Sequence, residues 1–301
     1  MIEETIKREP SRLTQDDPFI FTANDGVTLF MHHWKTGSSV RRQLLVVHGI
    51  GEHGGRYAHL PKHLEKQFSD IYALDLRGHG RSGGVRGYAP AFDSYLDDVK
   101  SAIFEIQKYE KNAGKKVDHK DLYILGHSMG GLITVRYLQR EKKSGLKGAI
   151  LSAPFLGMII AVPKWKEYLG HALRYTFSKL QLSNEINPSL ISHDPLIVEA
   201  YVKDRLIHQK CTPRLFFELM ETLDLAHKDA EEGFHGVPSM FLVAGEDRIV
   251  DSAATLNFFA KLKDRNKSMK EYDGFFHEVL NEVKKDQVFQ DISTWIESEQ
   301  L

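Results

Sequence analysis

Gly126-His127-Ser128-Met129-Gly130 sits between two runs of opposite character. Before it comes Leu122-Tyr123-Ile124-Leu125, an apolar, partly β-branched run that reads as a strand. After it, Leu132, Val135 and Leu138 recur at helical spacing, with Gly131 just inside the start. A serine on a tight strand-to-helix turn crowds its own backbone, and small residues two positions either side relieve the clash. The stretch is therefore a G-x-S-x-G pattern in the strand–turn–helix setting that exposes a serine oxygen. The plainer alternative is a glycine-rich turn carrying an ordinary helix-capping serine.

A serine is a weak nucleophile until a base takes its proton and a carboxylate orients that base. Folds that use this turn supply them in the chain order Ser, then Asp or Glu, then His. Ser239-Met240-Phe241-Leu242-Val243-Ala244 reads as a buried strand, and Gly245-Glu246-Asp247 follows it. Asp247 is thus expected on the loop at that strand's C-terminal end, where open α/β sheets place their sites. Glu246 is the competing acid. A further strand candidate, Ser268 to Tyr272, leads to Asp273-Gly274-Phe275-Phe276-His277, and a helix with Val288, Ile292, Trp295 and Ile296 follows. The candidate triad is Ser128, Asp247 and His277.

Acyl transfer also needs donors for a tetrahedral oxyanion. Leu44-Leu45-Val46-Val47 runs directly into His48-Gly49-Ile50-Gly51-Glu52-His53. A His-Gly after an early central strand occupies the place of the second donor, so the backbone N–H groups of Ile50 and Met129 are the candidates. A glycine-rich strand-to-helix turn is the alternative reading.

The segment His48-Gly49-Ile50-Gly51-Glu52-His53-Gly54-Gly55-Arg56-Tyr57 resembles the oxyanion segment of the monoacylglycerol lipase and lysophospholipase family of alpha/beta hydrolases. Asp75-Leu76-Arg77-Gly78-His79-Gly80-Arg81-Ser82 is similar to a stretch shared widely across that superfamily, and His277-Glu278-Val279-Leu280-Asn281-Glu282 to the family's histidine segment. The resemblance runs over nearly the whole chain after about residue 18. It implies that Glu52 and Arg56 hold the alcohol half of the substrate, with a simple Glu–Arg ion pair as the other reading. Many relatives carry one more residue before the catalytic aspartate, which keeps Glu246 in play.

The alternation of strand and helix patterns predicts a doubly wound, mostly parallel sheet with helices on both faces. Phe19 to Thr22 and Val27 to Met31 flank Asn24-Asp25-Gly26, a hairpin signal. The alternation breaks over residues 155–235, where mainly helical patterns run between two strands. We read residues 1–154 and 236–301 as the hydrolase core and 155–235 as an inserted helical cap. The cap opens on Phe155-Leu156-Gly157-Met158-Ile159-Ile160-Ala161-Val162, and Trp165, Tyr168, Leu169, Ala172, Leu173 and Phe177 then recur at helical spacing. This stretch is suited to line an acyl tunnel, to touch a membrane surface transiently, or simply to pack on the core. Within it, Arg205 stands where relatives commonly have proline.

Forty-one acids against 40 bases leave no basic excess for nucleic acid and no polybasic membrane anchor. The start lacks the apolar segment of a secretory signal, and a lone cysteine, Cys211, precludes an internal disulfide. Both favour a cytoplasmic protein, at most peripheral to a membrane. His59 and His63 are four apart but separated by Pro61, a poor metal pair, and the predicted chemistry requires no metal or organic cofactor. The expected activity is hydrolysis of a single-chain lipid ester, monoacylglycerol first and lysophospholipid second. A serine aminopeptidase and a non-catalytic binding protein on the same fold are the more distant readings.

Overall fold

The computed structural model describes residues 18–112, 121–159 and 173–299. The chain opens with β1 (Phe19–Thr22) and β2 (Thr28–Lys35), which pair antiparallel about the Asn24-Asp25-Gly26 turn as expected, with Gly26 at φ 87°. Then follow β3 (Gln43–Val47), a short α1 (Leu60–Leu64), β4 (Asp70–Asp75), α2 (Asp93–Asn112), β5 (Leu122–His127), α3 (Met129–Arg140) and β6 (Gly148–Ser152). A long excursion contains two-residue strands β7 (Leu182–Ser183) and β8 (Lys210–Cys211), with α4 (Pro195–Lys203) between them and α5 (Pro213–Lys228) after them. The chain closes with β9 (Ser239–Ala244), α6 (Ser252–Lys261), β10 (Lys267–Tyr272) and α7 (Lys285–Ser298).

Eight strands form one sheet in the order β1-β2-β4-β3-β5-β6-β9-β10, antiparallel at β1, β2 and β4 and parallel from there on. Successive side chains of a strand point to opposite faces. Leu45, Val47, Tyr72, Leu74 and Ile124 accordingly join α2 and α3 in one core layer. Leu44, Val46, Ile71, Ala73, Tyr123 and Leu125 join α1 and α7 in the other. With both faces covered, the parallel strands are the continuous apolar runs visible in the sequence. The α/β-hydrolase sheet is as predicted.

The excursion between β6 and β9 divides in two. Leu156 is fully buried, and the Asp251 N–H donates to the Gly157 carbonyl, so the apolar opening begins by packing on the core. At the far end Thr212 caps α5, with Pro213 in the first turn. Leu215, Leu219, Ala226 and Phe234 sit in the same core layer as α3, and Gln139 donates to the Ala226 carbonyl. Within the span read as a cap, it is residues 173–212 that carry α4 and the β7–β8 ribbon. Trp165, Tyr168, Leu169 and Ala172 lie outside the described residues. No helix among the described residues is long and apolar enough to cross a membrane.

Candidate active site

Ser128 stands at the junction of β5 and α3 with φ 53° and ψ −119°, a conformation that L-residues rarely adopt. The turn closes only because its neighbours lack side chains. A Cβ on Gly130 would collide with the Val47 carbonyl, and one on Gly126 with Gly130 and Thr134. The Ser128 side chain makes no capping bond to its helix, so the capping alternative fails. Its hydroxyl is left to the cleft that Ser128 lines.

Asp247 and His277 sit on the loops after β9 and β10, and they meet. His277 Nδ1 lies 2.7 Å from Asp247 Oδ2, while Asp247 Oδ1 accepts the N–H groups of Ile249 at 2.8 Å and Val250 at 2.9 Å. One carboxylate oxygen thus fixes its own loop and the other fixes the imidazole. Burial disfavours charge on both groups, but their mutual attraction outweighs it. The His277 pKa is raised above its ordinary value and the Asp247 pKa is held below. Glu246, by contrast, is half-exposed and sits 3.7 Å from Arg248. His127 packs against His277 with ring centroids 4.8 Å apart. Burial first, then the His277 charge, lower its pKa to about 4, so it is neutral in the working range.

The loop after β3 is held from several sides. His48 Nδ1–H donates to the Gly49 carbonyl at 2.7 Å, and His48 Nε2 accepts the Leu76 N–H at 3.0 Å. The Gly49 N–H donates to Glu52 Oε1 at 2.6 Å. The N–H groups of Ile50 and Met129 have no acceptor among the described residues. Ile50 lines the same cleft as Ser128 and His277.

Glu52 also lines that cleft, whereas Arg56 does not. Arg56 donates to Glu52 Oε2 at 2.6 Å and forks both oxygens of Glu278, at 2.7 and 2.8 Å. The Tyr201 ring of α4 covers the guanidinium, 4.9 Å from it. The ion pair foreseen between Glu52 and Arg56 is therefore present and extends to a third member, Glu278, that sequence reasoning missed. Glu278 faces the cleft directly after His277, but its partner Arg56 is 222 positions away.

The insert supplies Ile186, Ile191 and Tyr201 to the cleft. It is anchored to the loop after β3 where His53 Nε2 meets Asp204 Oδ2 at 2.9 Å and the His208 N–H donates to the Gly51 carbonyl at 2.8 Å. Arg205 follows the residue that makes this turn, since Asp204 Oδ1 accepts the Leu206 N–H at 2.8 Å.

His32, His53 and Asp75 bring ligand-type atoms within 4.8 Å of one another. These atoms already serve the fold. His53 Nδ1 accepts the Gly55 N–H, and Asp75 accepts the N–H groups of Gly54 and Arg81. His59 and His63 stand 6.1 Å apart, both against Phe289.

Comparison with known proteins places the chain in a family. The family described as "Serine aminopeptidase, S33" matches residues 38–284. The human monoglyceride lipase is 28% identical, over 98% of this chain and 95% of its own length. Phospholipase YtpA of Bacillus subtilis is also 28% identical, over 86% of this chain and 96% of its own. The crystal structure of Paleococcus ferrophilus monoacylglycerol lipase superposes with a TM-score of 0.77 at 29% identity, covering 89% of this chain and 99% of that one. By its family match, its sheet and its relatives, the chain belongs to the serine aminopeptidase S33 family of alpha/beta hydrolases and is an ester hydrolase of the monoacylglycerol lipase type.

Proposed function

We propose that this lipid-ester hydrolase cleaves monoacylglycerol to fatty acid and glycerol through Ser128, His277 and Asp247. The observation that carries the reading is the 2.7 Å His277–Asp247 bond beside a strained, uncapped Ser128 in one cleft. Asp247 holds the proton on Nδ1, leaving Nε2 to take the proton of the Ser128 hydroxyl as its oxygen attacks the ester carbonyl. The free N–H groups of Ile50 and Met129 receive the oxyanion. His277 then protonates the departing alcohol, and water, activated by the same imidazole, hydrolyses the acyl-enzyme.

The character of the cleft supports a neutral head group. Ile50, Ile186, Ile191 and Ile249 provide apolar wall for an acyl chain, while Glu52 and Glu278 provide polar groups. No lysine or arginine lines it among the described residues, because Arg56 is turned onto the two carboxylates. A phosphate-bearing head would face net negative charge, and glycerol hydroxyls would not. The same two carboxylates are occupied by Arg56, which leaves them poorly placed to hold the α-amino group an aminopeptidase needs.

On this reading residues 155–235, and chiefly the part around α4 and the ribbon, act as the cap over a core formed by 1–154 and 236–301. Exposed Tyr175, Phe177, Leu180 and Leu182 on the insert support transient contact with a lipid surface by a protein of the cytoplasm. The test is fatty-acid release from a monoacylglycerol and a lysophospholipid of the same acyl chain, with Ser128→Ala as control. Faster release from the glyceride, lost in the variant, is expected. Preference for the lysophospholipid moves the assignment to lysophospholipase, and release from neither, with cleavage of an alanine anilide, moves it to aminopeptidase.

A further inference from the structure

We propose that Glu278 is a positioning residue that, through Arg56 and Glu52, holds the base and the oxyanion loop in one fixed register. The inference rests on His277 and Ile50 being base and oxyanion donor. Starting at His277, the next residue in the chain is Glu278. Its two oxygens are forked by Arg56 at 2.7 and 2.8 Å, and Asn281 donates to Oε2 at 2.8 Å. The same guanidinium reaches Glu52 Oε2 at 2.6 Å, and Glu52 Oε1 accepts the Gly49 N–H at 2.6 Å. Gly49 precedes Ile50. An unbroken run of charged hydrogen bonds thus links the loop after β10 to the loop after β3, across the cleft in which the ester must sit.

The Glu278 backbone adds the third party. Its N–H donates to the Ile191 carbonyl at 2.8 Å, and Tyr201 lies over Arg56, so the insert is fastened to the same residue. Glu278, Glu52 and Arg56 are all nearly buried, with side-chain exposures of 5, 4 and 10%. Buried ion sets gain little stability over apolar packing, but their geometry is demanding. Two carboxylates and one guanidinium leave a net charge of −1 near His277, the ring that becomes cationic in the transition state. Both carboxylates, after Asp247, favour that charge.

The test compares Glu278→Gln, which keeps the shape without the charge, with Glu278→Asp, which keeps the charge at shorter reach. Three quantities are read: melting temperature, the pH at which the His277 imidazole titrates by NMR, and kcat and KM on p-nitrophenyl butyrate. For the Gln variant we expect a folded protein, kcat lower by about 10- to 100-fold with KM within about threefold, and His277 titrating at lower pH than in the wild type. The Asp variant is expected to return the titration toward the wild-type value while kcat recovers only partly. If the Gln protein fails to fold, the Asp protein decides alone, by a depressed kcat at a near-native titration.

Wild-type kcat and titration in the Gln variant, or in the Asp variant where it stands alone, would overturn the proposal and leave an ion bridge that only holds the fold together. The imidazole titration needs no substrate. A wild-type protein whose Ser128 is labelled by a fluorophosphonate but which releases no fatty acid therefore fails the lipid reading and not this one.

Discussion

Gly49 and Ser128 are packed so closely that a Cβ on the glycine would stand 3.1 Å from the Cβ of the serine. It would also lie 3.0 Å from Glu52 Oε1. The loop that carries Ile50 can approach Ser128 this closely only with hydrogen at this position. Gly49→Ala should therefore fold, because the crowding is against side chains, yet lose about 10- to 100-fold in kcat as the oxyanion loop is pushed back. Gly130→Ala differs in kind, since its methyl would strike the Val47 carbonyl in the centre of the sheet, and no folded protein is expected. Circular dichroism and steady-state kinetics on the two proteins separate these outcomes.

Ser128 stores backbone strain. At φ 53° and ψ −119° a non-glycine residue costs about 1–3 kcal/mol. Ser128→Gly removes that cost and gives back about 0.5–1 kcal/mol in chain entropy. Both Ser128→Ala and Ser128→Gly should be inactive, but the glycine protein should be the more stable by about 1 kcal/mol, about 2 °C in melting temperature. Equal melting temperatures would show that the turn is not strained.

Asp247 and Glu246 are neighbours in sequence with opposite fates in the fold. Asp247→Asn should lower kcat by about 10³- to 10⁴-fold, because the amide no longer anchors Nδ1–H or offsets the imidazolium. Glu246→Gln should leave kcat within about twofold, its 3.7 Å partner Arg248 being largely exposed. The reverse ranking would transfer the acid role to Glu246.

The activity should fall on the acid side as His277 takes up a proton and ceases to be a base. Its pKa is raised, so the midpoint of the acid limb of kcat/KM is expected above 6.5. Asp247 is held low and does not titrate in that window. In the residual activity of Asp247→Asn the limb should move to lower pH, since burial then acts on His277 without the compensating charge. A limb that stays in place assigns it to another group.

Asp204 fastens the insert to His53. Asp204→Ala should loosen α4 and the ribbon from the loop after β3, raising KM about three- to tenfold, in line with loss of a partly exposed charged hydrogen bond. The insert should also become more sensitive to limited proteolysis, while kcat changes little. Unchanged proteolysis would mean that the His208–Gly51 bond suffices to hold it.

What was legible in the sequence was what local chemistry encodes. The fully buried parallel strands announced themselves as apolar runs, and the turn at Ser128 as glycines with a steric purpose. Asp247 and His277 were legible because each follows its own strand. The course of the insert was less so. Pro195 and Pro213 mark the starts of α4 and α5, but the two-residue strands Leu182–Ser183 and Lys210–Cys211 have no period to detect. The bridge from Glu278 to Arg56 joins residues with no sequence relation at all. Charged partners brought together by sheet topology carry no local signature, so Arg56 could be read toward a substrate when its fork closes on Glu278.

The insert leaves the sheet after β6 and returns at β9, and those two strands are hydrogen-bonded neighbours. Closing a flexible excursion costs conformational entropy that grows only with the logarithm of its length, about 0.6 kcal/mol for each doubling. The sheet is accordingly almost indifferent to how much chain is spent above the cleft. Length and composition can drift in the stretch around α4 and the ribbon, provided that the footholds at Gly51, His53 and Glu278 are kept and the core contacts of Leu156 and α5 stay in place. A sheet built in this way can exchange the chain between two neighbouring strands over evolutionary time while the strands themselves stay where they were.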